Sequence, residues 1–153
     1  MKTKIFILFI FLFVGYSYAQ IVSRHFNAKG VQEKEDPIPF YAVEEKPKFM
    51  ACEDVPKEKE AECFKEQLKK HVIRYFYYPK EAIDKGIEGR VIVSFQINTN
   101  GSVTIRDIRG SNKLLEVAAK EIIEKLPTFI PGKQRGKPVP VTFNYPINFK
   151  LSN

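Results

Sequence analysis

The chemistry open to this sequence is narrow. Its only cysteines are Cys52 and Cys63, and its only histidines are His25 and His71. The cysteines are too far apart for a C-x-x-C redox centre, and a mixed Cys/His zinc site would need four ligands at zinc-like spacing, which His25 and His71 do not complete. No nucleophile motif, phosphate-binding glycine loop or pair of carboxylates in an apolar setting accompanies the histidines. No catalytic residue, metal or cofactor is therefore expected. An even cysteine count at short spacing reads as a disulfide if the chain enters an oxidising compartment, with Cys52 to Cys63 the one pairing available. Closing a loop of that size is worth about 3 kcal/mol in the chain-entropy model.

The first residues supply that compartment. Lys2 and Lys4 precede a continuous apolar run from Ile5 to Val14, then Gly15 and the small-residue site Ser17-Tyr18-Ala19 before Gln20. Residues 1–19 thus have the layout of a secretory signal peptide cleaved after Ala19. An uncleaved anchor is the alternative, although a membrane span needs about 20 apolar residues and the unbroken run is half that. No cysteine follows Ala19, so a lipid-modified N-terminus is unsupported. Cleavage would remove Phe6, Phe9, Phe11 and Phe13 and would lower the net charge from +7 to +5. The exported chain stays basic, which suits acidic peptide segments or an anionic membrane surface; nucleic acid is a poor partner outside the cytoplasm, and no nucleic-acid motif is present. With 153 residues, 44% of them hydrophobic, one soluble domain with its own core is the default.

Residues 20–49 are polar and charged, interrupted by Pro37, Pro39 and Pro47, and read as an extended or disordered lead-in to a folding unit at 50–153. After Pro56, Phe64, Leu68 and Val72 recur four apart with Ala61 and Tyr75 near the same stripe, which predicts a helix ending near Arg74. Its Lys/Glu run, Lys57 to Glu62, reads as a solvated start. Tyr75 to Pro79 leaves that helix, and a helical turn from Lys80 to Asp84 stops at Gly86. From Gly89 the period becomes two, with Val91, Val93, Phe95 and Ile97 on one face. Asn100-Gly101 predicts a tight hairpin turn into a second strand through Val103, Ile105 and Ile108, whose shifted parity predicts a bulge near Arg106 or Asp107. Asn112 is the expected N-cap of a second helix with Leu115, Ala118, Ala119, Ile122 and Leu126 inside; Pro127 ends it.

The loop that follows carries Lys133, Gln134, Arg135 and Lys137 without an acid, and could position an acidic peptide or simply be a solvated turn. The last strand has the longest alternation, with Val139, Val141, Phe143, Tyr145, Ile147, Phe149 and Leu151 on one side and Asn144, Pro146 and Asn148 on the other. Proline offers no N–H, so Pro146 places this strand at an edge or a bulge. An edge can accept an extended peptide by strand addition, or pair with a copy of itself.

Tyr78-Pro79, Ala82, Gly86-Ile87, Gly89 and the alternating strand are followed in order by Gly101, Val103, Ser111, Leu115, Ala118-Ala119, Phe129 and Pro131-Gly132. Gly136, Pro138-Val139 and Pro146-Ile147-Asn148-Phe149 complete the series. In this the last half of the chain resembles the C-terminal domain of TonB, the periplasmic end of the transducer that serves outer-membrane receptors. The segment from Glu44 through Pro47 and Phe49 to Cys52-Glu53, with Cys63 on the next helix, is similar to a TonB-like subgroup with paired cysteines.

The resemblance implies an α+β fold of two layers, helices on a three-stranded antiparallel sheet. It also implies a non-catalytic periplasmic protein that holds the TonB box of a TonB-dependent outer-membrane receptor as an added strand. By position, the pairing surface would be Val139, Val141, Phe143, Asn144, Tyr145, Pro146, Ile147 and Asn148, beside the basic loop. Most of these side chains would be core, leaving the backbone to bind. The alternative function is a cell-envelope interaction protein that forms a homodimer or binds another partner through that strand. Full transducers also carry a retained membrane helix with a Ser/His pair and a proline-rich spacer. The apolar run here has no His and the lead-in no such repeat, so ExbB and ExbD become expected partners, and the inner membrane the expected location, only if the N-terminal segment stays uncleaved.

Overall fold

Apolar spacing decides which face of each helix is buried, and the buried faces decide the layers. In the computed structural model, which describes residues 36–151, the chain opens with a two-residue strand β1 (Ile38–Pro39) and a 3₁₀ turn at Met50–Cys52. A second 3₁₀ turn, Lys57–Lys59, leads into helix α1 (Glu60–Tyr75), and helix α2 (Lys80–Asp84) follows Pro79. Strands β2 (Gly89–Ile97) and β3 (Val103–Gly110) form a hairpin, helix α3 (Lys113–Glu124) returns over them, a small hairpin β4 (Lys133–Gln134) and β5 (Lys137–Pro138) follows, and β6 (Val141–Phe149) ends the domain.

The main sheet has four strands in the order β1-β6-β2-β3. The neighbours β6-β2 and β2-β3 are antiparallel, whereas β1 lies parallel to β6. The expected three-stranded sheet therefore gains a strand. Its two residues carry no detectable period and one is proline, so only the tertiary partner reveals it. On β2 the alternation holds: Val91, Val93, Phe95 and Ile97 are fully buried. Opposite Ser94 and Phe95 the register skips Arg106, which forms the expected bulge. The Asn112 side chain accepts from the Leu114 N–H at 2.9 Å, capping α3 as its sequence predicts. In the β2-β3 turn, Gly101 adopts φ +80° with the Phe129 carbonyl so near that a Cβ would sit 1.9 Å from its oxygen.

Phe64, Leu68 and Val72 of α1 are buried as their spacing requires. Phe64 is the hub of an aromatic cluster with Phe40, Phe49, Phe129 and Phe143, at centroid separations of 4.6, 5.5, 5.8 and 5.3 Å. Two of those rings correct the lead-in. Residues 38–49 are not an extended tail: Phe40, Val43 and Phe49 belong to the core. Isolated apolar residues among prolines and acids gave no periodic signal, and their burial depends on the distant ring of Phe64. The rest of the lead-in, His25 and the N-terminal apolar run lie outside the described residues.

The segment from Asp36 to Cys52 is a strap with several anchors. Cys52 and Cys63 are joined in a disulfide with Cα atoms 6.1 Å apart. Lys48 pairs with the buried Glu60 at 2.7 Å, so loss of Lys48 would leave a carboxylate without its countercharge.

Candidate functional site

The exposed margin of β6 is the place where backbone chemistry is left open. Residues 141, 143, 145, 147 and 149 face residues 97, 95, 93, 91 and 89 of β2 in an unbroken ladder. On the other side, the Ile38 N–H donates to the Pro140 carbonyl and the Phe40 N–H to the Thr142 carbonyl, both at 2.9 Å. Even-numbered residues of β6 therefore turn their backbone groups outward, because successive peptide groups in a strand point to opposite sides. Pro146 is even-numbered. Its missing N–H faces the open side, which is why a proline is tolerated in a strand that pairs fully with β2.

Beyond Thr142 the outward groups of Asn144, Pro146 and Asn148 have no backbone partner among the described residues. This window is uncharged from Phe143 to Phe149. The strand itself begins at Val141 rather than Val139; Val139 is buried, with its N–H on the Gly132 carbonyl at 3.0 Å. Phe143, Tyr145 and Ile147 point to the helix layer; Phe143 meets the Phe40 ring of the strap edge-on at 5.0 Å, and Phe143 and Tyr145 remain half-buried. Burial alone raises the Tyr145 phenol above its ordinary pKa. On the opposite face Asn148 accepts from Arg90 Nε at 2.9 Å and Asn144 is hydrogen-bonded to Ser94. Those amides are occupied by β2, so the backbone is what remains available.

The basic loop is a tight hairpin turned by Arg135 (φ 51°) and Gly136 (φ 74°), the paired positive φ values of a two-residue turn. It already has acidic company. Glu44 accepts from Gln134 Nε2 at 3.0 Å and from the Arg135 N–H at 2.8 Å, while its own N–H donates to Gln134 Oε1 at 3.1 Å. Glu45 and Lys133 exchange two backbone bonds of 3.0 Å, with their charges 4.0 Å apart. The strap thus supplies an acidic segment to this loop, whereas Arg135 and Lys137 keep exposed side chains. β1 has no signal in the sequence, and Glu44 stands there only as the start of the segment that resembles the paired-cysteine subgroup, with no contact to the basic loop implied.

His71 ties α1 to α3. Its Nε2 lies 2.9 Å from the Ile122 carbonyl and its ring 4.6 Å from that of Tyr75. Burial lowers its pKa, with Arg74 and Lys125 pushing the same way against the Ile122 bond. Among the described residues no cluster of His, Cys, Asp or Glu could hold a metal ion, and no helix is long and apolar enough to cross a membrane.

A groove of about 440 Å³ lies beside β3, with Val103, Ile105, Leu126 and Pro127 on its walls and Lys120 and Glu124 at its rim.

Residues 74–151 match the family model described as the Gram-negative bacterial TonB protein C-terminal. Two solution structures of the Helicobacter pylori TonB C-terminal domain are similar to this chain. The longer is 30% identical, with 66% of this chain and 88% of that one covered and a TM-score of 0.45; for the shorter the values are 32%, 57%, 94% and 0.43. No curated protein matches the chain.

Proposed function

The chain belongs to the family of Gram-negative bacterial TonB protein C-terminal domains, which implies a TonB-like role in energy-dependent outer-membrane transport, and we propose that it performs this by binding receptors through β6. An extended receptor segment, the TonB box, adds to the open window at 143–149 as a further strand. The observation that carries this reading is the uncharged margin with outward groups on Asn144, Pro146 and Asn148. Backbone hydrogen bonds supply affinity in such additions, and the alternating side chains supply selectivity. The side chains of Val141, Phe143, Tyr145 and Ile147 act by holding the strand against the helices. Lys133, Gln134, Arg135 and Lys137 act at one remove, with Arg135 and Lys137 as the cations free to meet an approaching acidic stretch.

The family's periplasmic setting supports export of this domain after cleavage at Ala19. The exported protein then begins at Gln20; recovery of an intact Met1 in a membrane fraction would instead support the anchored form and contact with ExbB and ExbD. We place the folding unit at 36–151 rather than at 50–153, because Phe40 and Val43 complete the core.

The receptor reading is tested by titrating a TonB-box peptide into the isotope-labelled exported chain. The amides of Asn144 and Asn148 are expected to shift. The double variant Asn144→Pro/Asn148→Pro removes both outward N–H groups, keeps the backbone ladder to β2 while losing the side-chain bonds to Ser94 and Arg90, and should weaken binding at least tenfold, about 1.4 kcal/mol. Wild-type spectra that stay unchanged at high peptide concentration would sink the reading. A concentration-dependent dimer that blocks the same amides would favour the homodimer alternative.

A further inference from the structure

The strap and the window share one edge, and the residue at their junction is otherwise unexplained. Tyr41 is 84% exposed, directly after Phe40, whose N–H makes the last strap bond to the Thr142 carbonyl. There the chain turns away abruptly: the N–H groups of Ala42 and Val43 return to the Pro39 carbonyl, at 2.9 and 3.2 Å. The next outward groups, on Asn144, lie two residues further along β6, roughly 7 Å away. The Cα of Tyr41 is one step of about 3.8 Å from that of Phe40, so this exposed side chain adjoins the last strap residue seated on the edge. Tyrosine buries much area at low entropic cost, and it is enriched at interfaces for that reason.

We propose that the strap is the end wall of the docking window and that Tyr41 is its recognition residue. An extended, uncharged receptor segment laid along 143–149 abuts Phe40 and covers the Tyr41 ring. This rests on the strand-addition reading above. The occupant follows from the edge itself, since β1 is an extended segment already seated on it by strand pairing, and the free stretch offers only neutral groups. The wall is firm because Phe40 is locked against Phe64 and Phe143. The Glu44 bonds to the hairpin and the Cys52–Cys63 disulfide hold the strap further along. A rigid wall limits the partner to the three outward positions at 144, 146 and 148, so extra residues at the strap end add nothing.

The test uses the exported chain and a TonB-box peptide. Tyr41→Ala should weaken binding five- to tenfold with an unchanged melting temperature, whereas Met50→Ala, at another exposed strap position away from β6, should change neither. A peptide lengthened by three residues at the strap end should bind no tighter, and hydrogen exchange of the Ile38 and Phe40 amides should be the same with and without it. Wild-type affinity in Tyr41→Ala, or loss of protection at Phe40 on binding, would overturn the wall while leaving strand addition standing. Absence of any shift at Asn144 and Asn148 in the wild-type chain would instead overturn strand addition itself.

Discussion

The main sheet has two margins, and they are built differently. At β3 the margin is interrupted by the Arg106 bulge and carries Asp107 and Arg109, paired at 2.5 Å. Its last N–H, on Gly110, is taken by the Glu116 carboxylate at 3.0 Å. Bulges, charges and covering side chains are the usual means of keeping a strand from pairing with strangers. The β6 margin has a proline and a short strap at its start, but otherwise presents a long neutral stretch. One margin is guarded and the other is left receptive. Openness at β6 is therefore not a general property of this sheet, which supports the proposal that it is the docking surface.

Removing the anchor of the strap is the strongest way to disturb this contrast. Cys52→Ala/Cys63→Ala should cost about 3 kcal/mol of stability by chain entropy, measured by denaturant unfolding. Native-state exchange should rise first at Ile38 and Phe40, so that the β6 margin opens before the β3 margin. If β3 amides opened first, the strap would not be the guard of β6. A smaller change concerns the other margin. Replacing Arg106, Asp107 and Arg109 by Thr should leave stability within about 0.5 kcal/mol, as is usual at exposed positions, yet make the chain associate with itself in sedimentation while peptide binding at β6 persists. A variant that stays monomeric would show that the bulge guards β3 without help from charge.

The smallest effect is set by pH. Bonds from Lys113 and then from the Gly110 N–H hold Glu116 below the ordinary carboxylate range. Because its folded pKa is depressed, its contribution is complete above the unfolded value near 4.5 and is lost as pH falls through the lower folded value. The Gly110 amide should therefore lose protection on acidification in that window relative to the β2-β3 ladder amides. Glu116→Gln should flatten this response; an unchanged response would assign it to another group.

Much of this architecture was legible in the residues. Four-residue spacing in α1, two-residue spacing in β2 and β6, the Asn112 cap and the bulge at Arg106 are local features, and local sterics dictate them. Pro146 marked the margin because a missing donor is written in the residue type. What stayed hidden was the strap: Ile38, Phe40, Val43 and Phe49 are spaced by no period and become core only when Phe64 and Phe143 converge on them. Glu44 was visible as the start of the segment resembling the paired-cysteine subgroup, but its contact exists only once a loop 90 residues later folds against it. The basic loop was visible as charge, but its partial neutralisation was not.

The alternation of β6 has a final consequence for how the chain can change over generations. Since only even-numbered positions turn their peptide groups outward, loss or gain of one residue between Val141 and Phe149 would exchange the two sets, sending Phe143 and Tyr145 toward water and the asparagines toward the core. Substitutions at Asn144 or Asn148 leave the frame intact and cost at most the side-chain bonds to Ser94 and Arg90 and, for proline, an outward N–H. The count of residues has no such latitude. Length variation should be confined to segments outside the paired strands, where no pairing frame has to be kept.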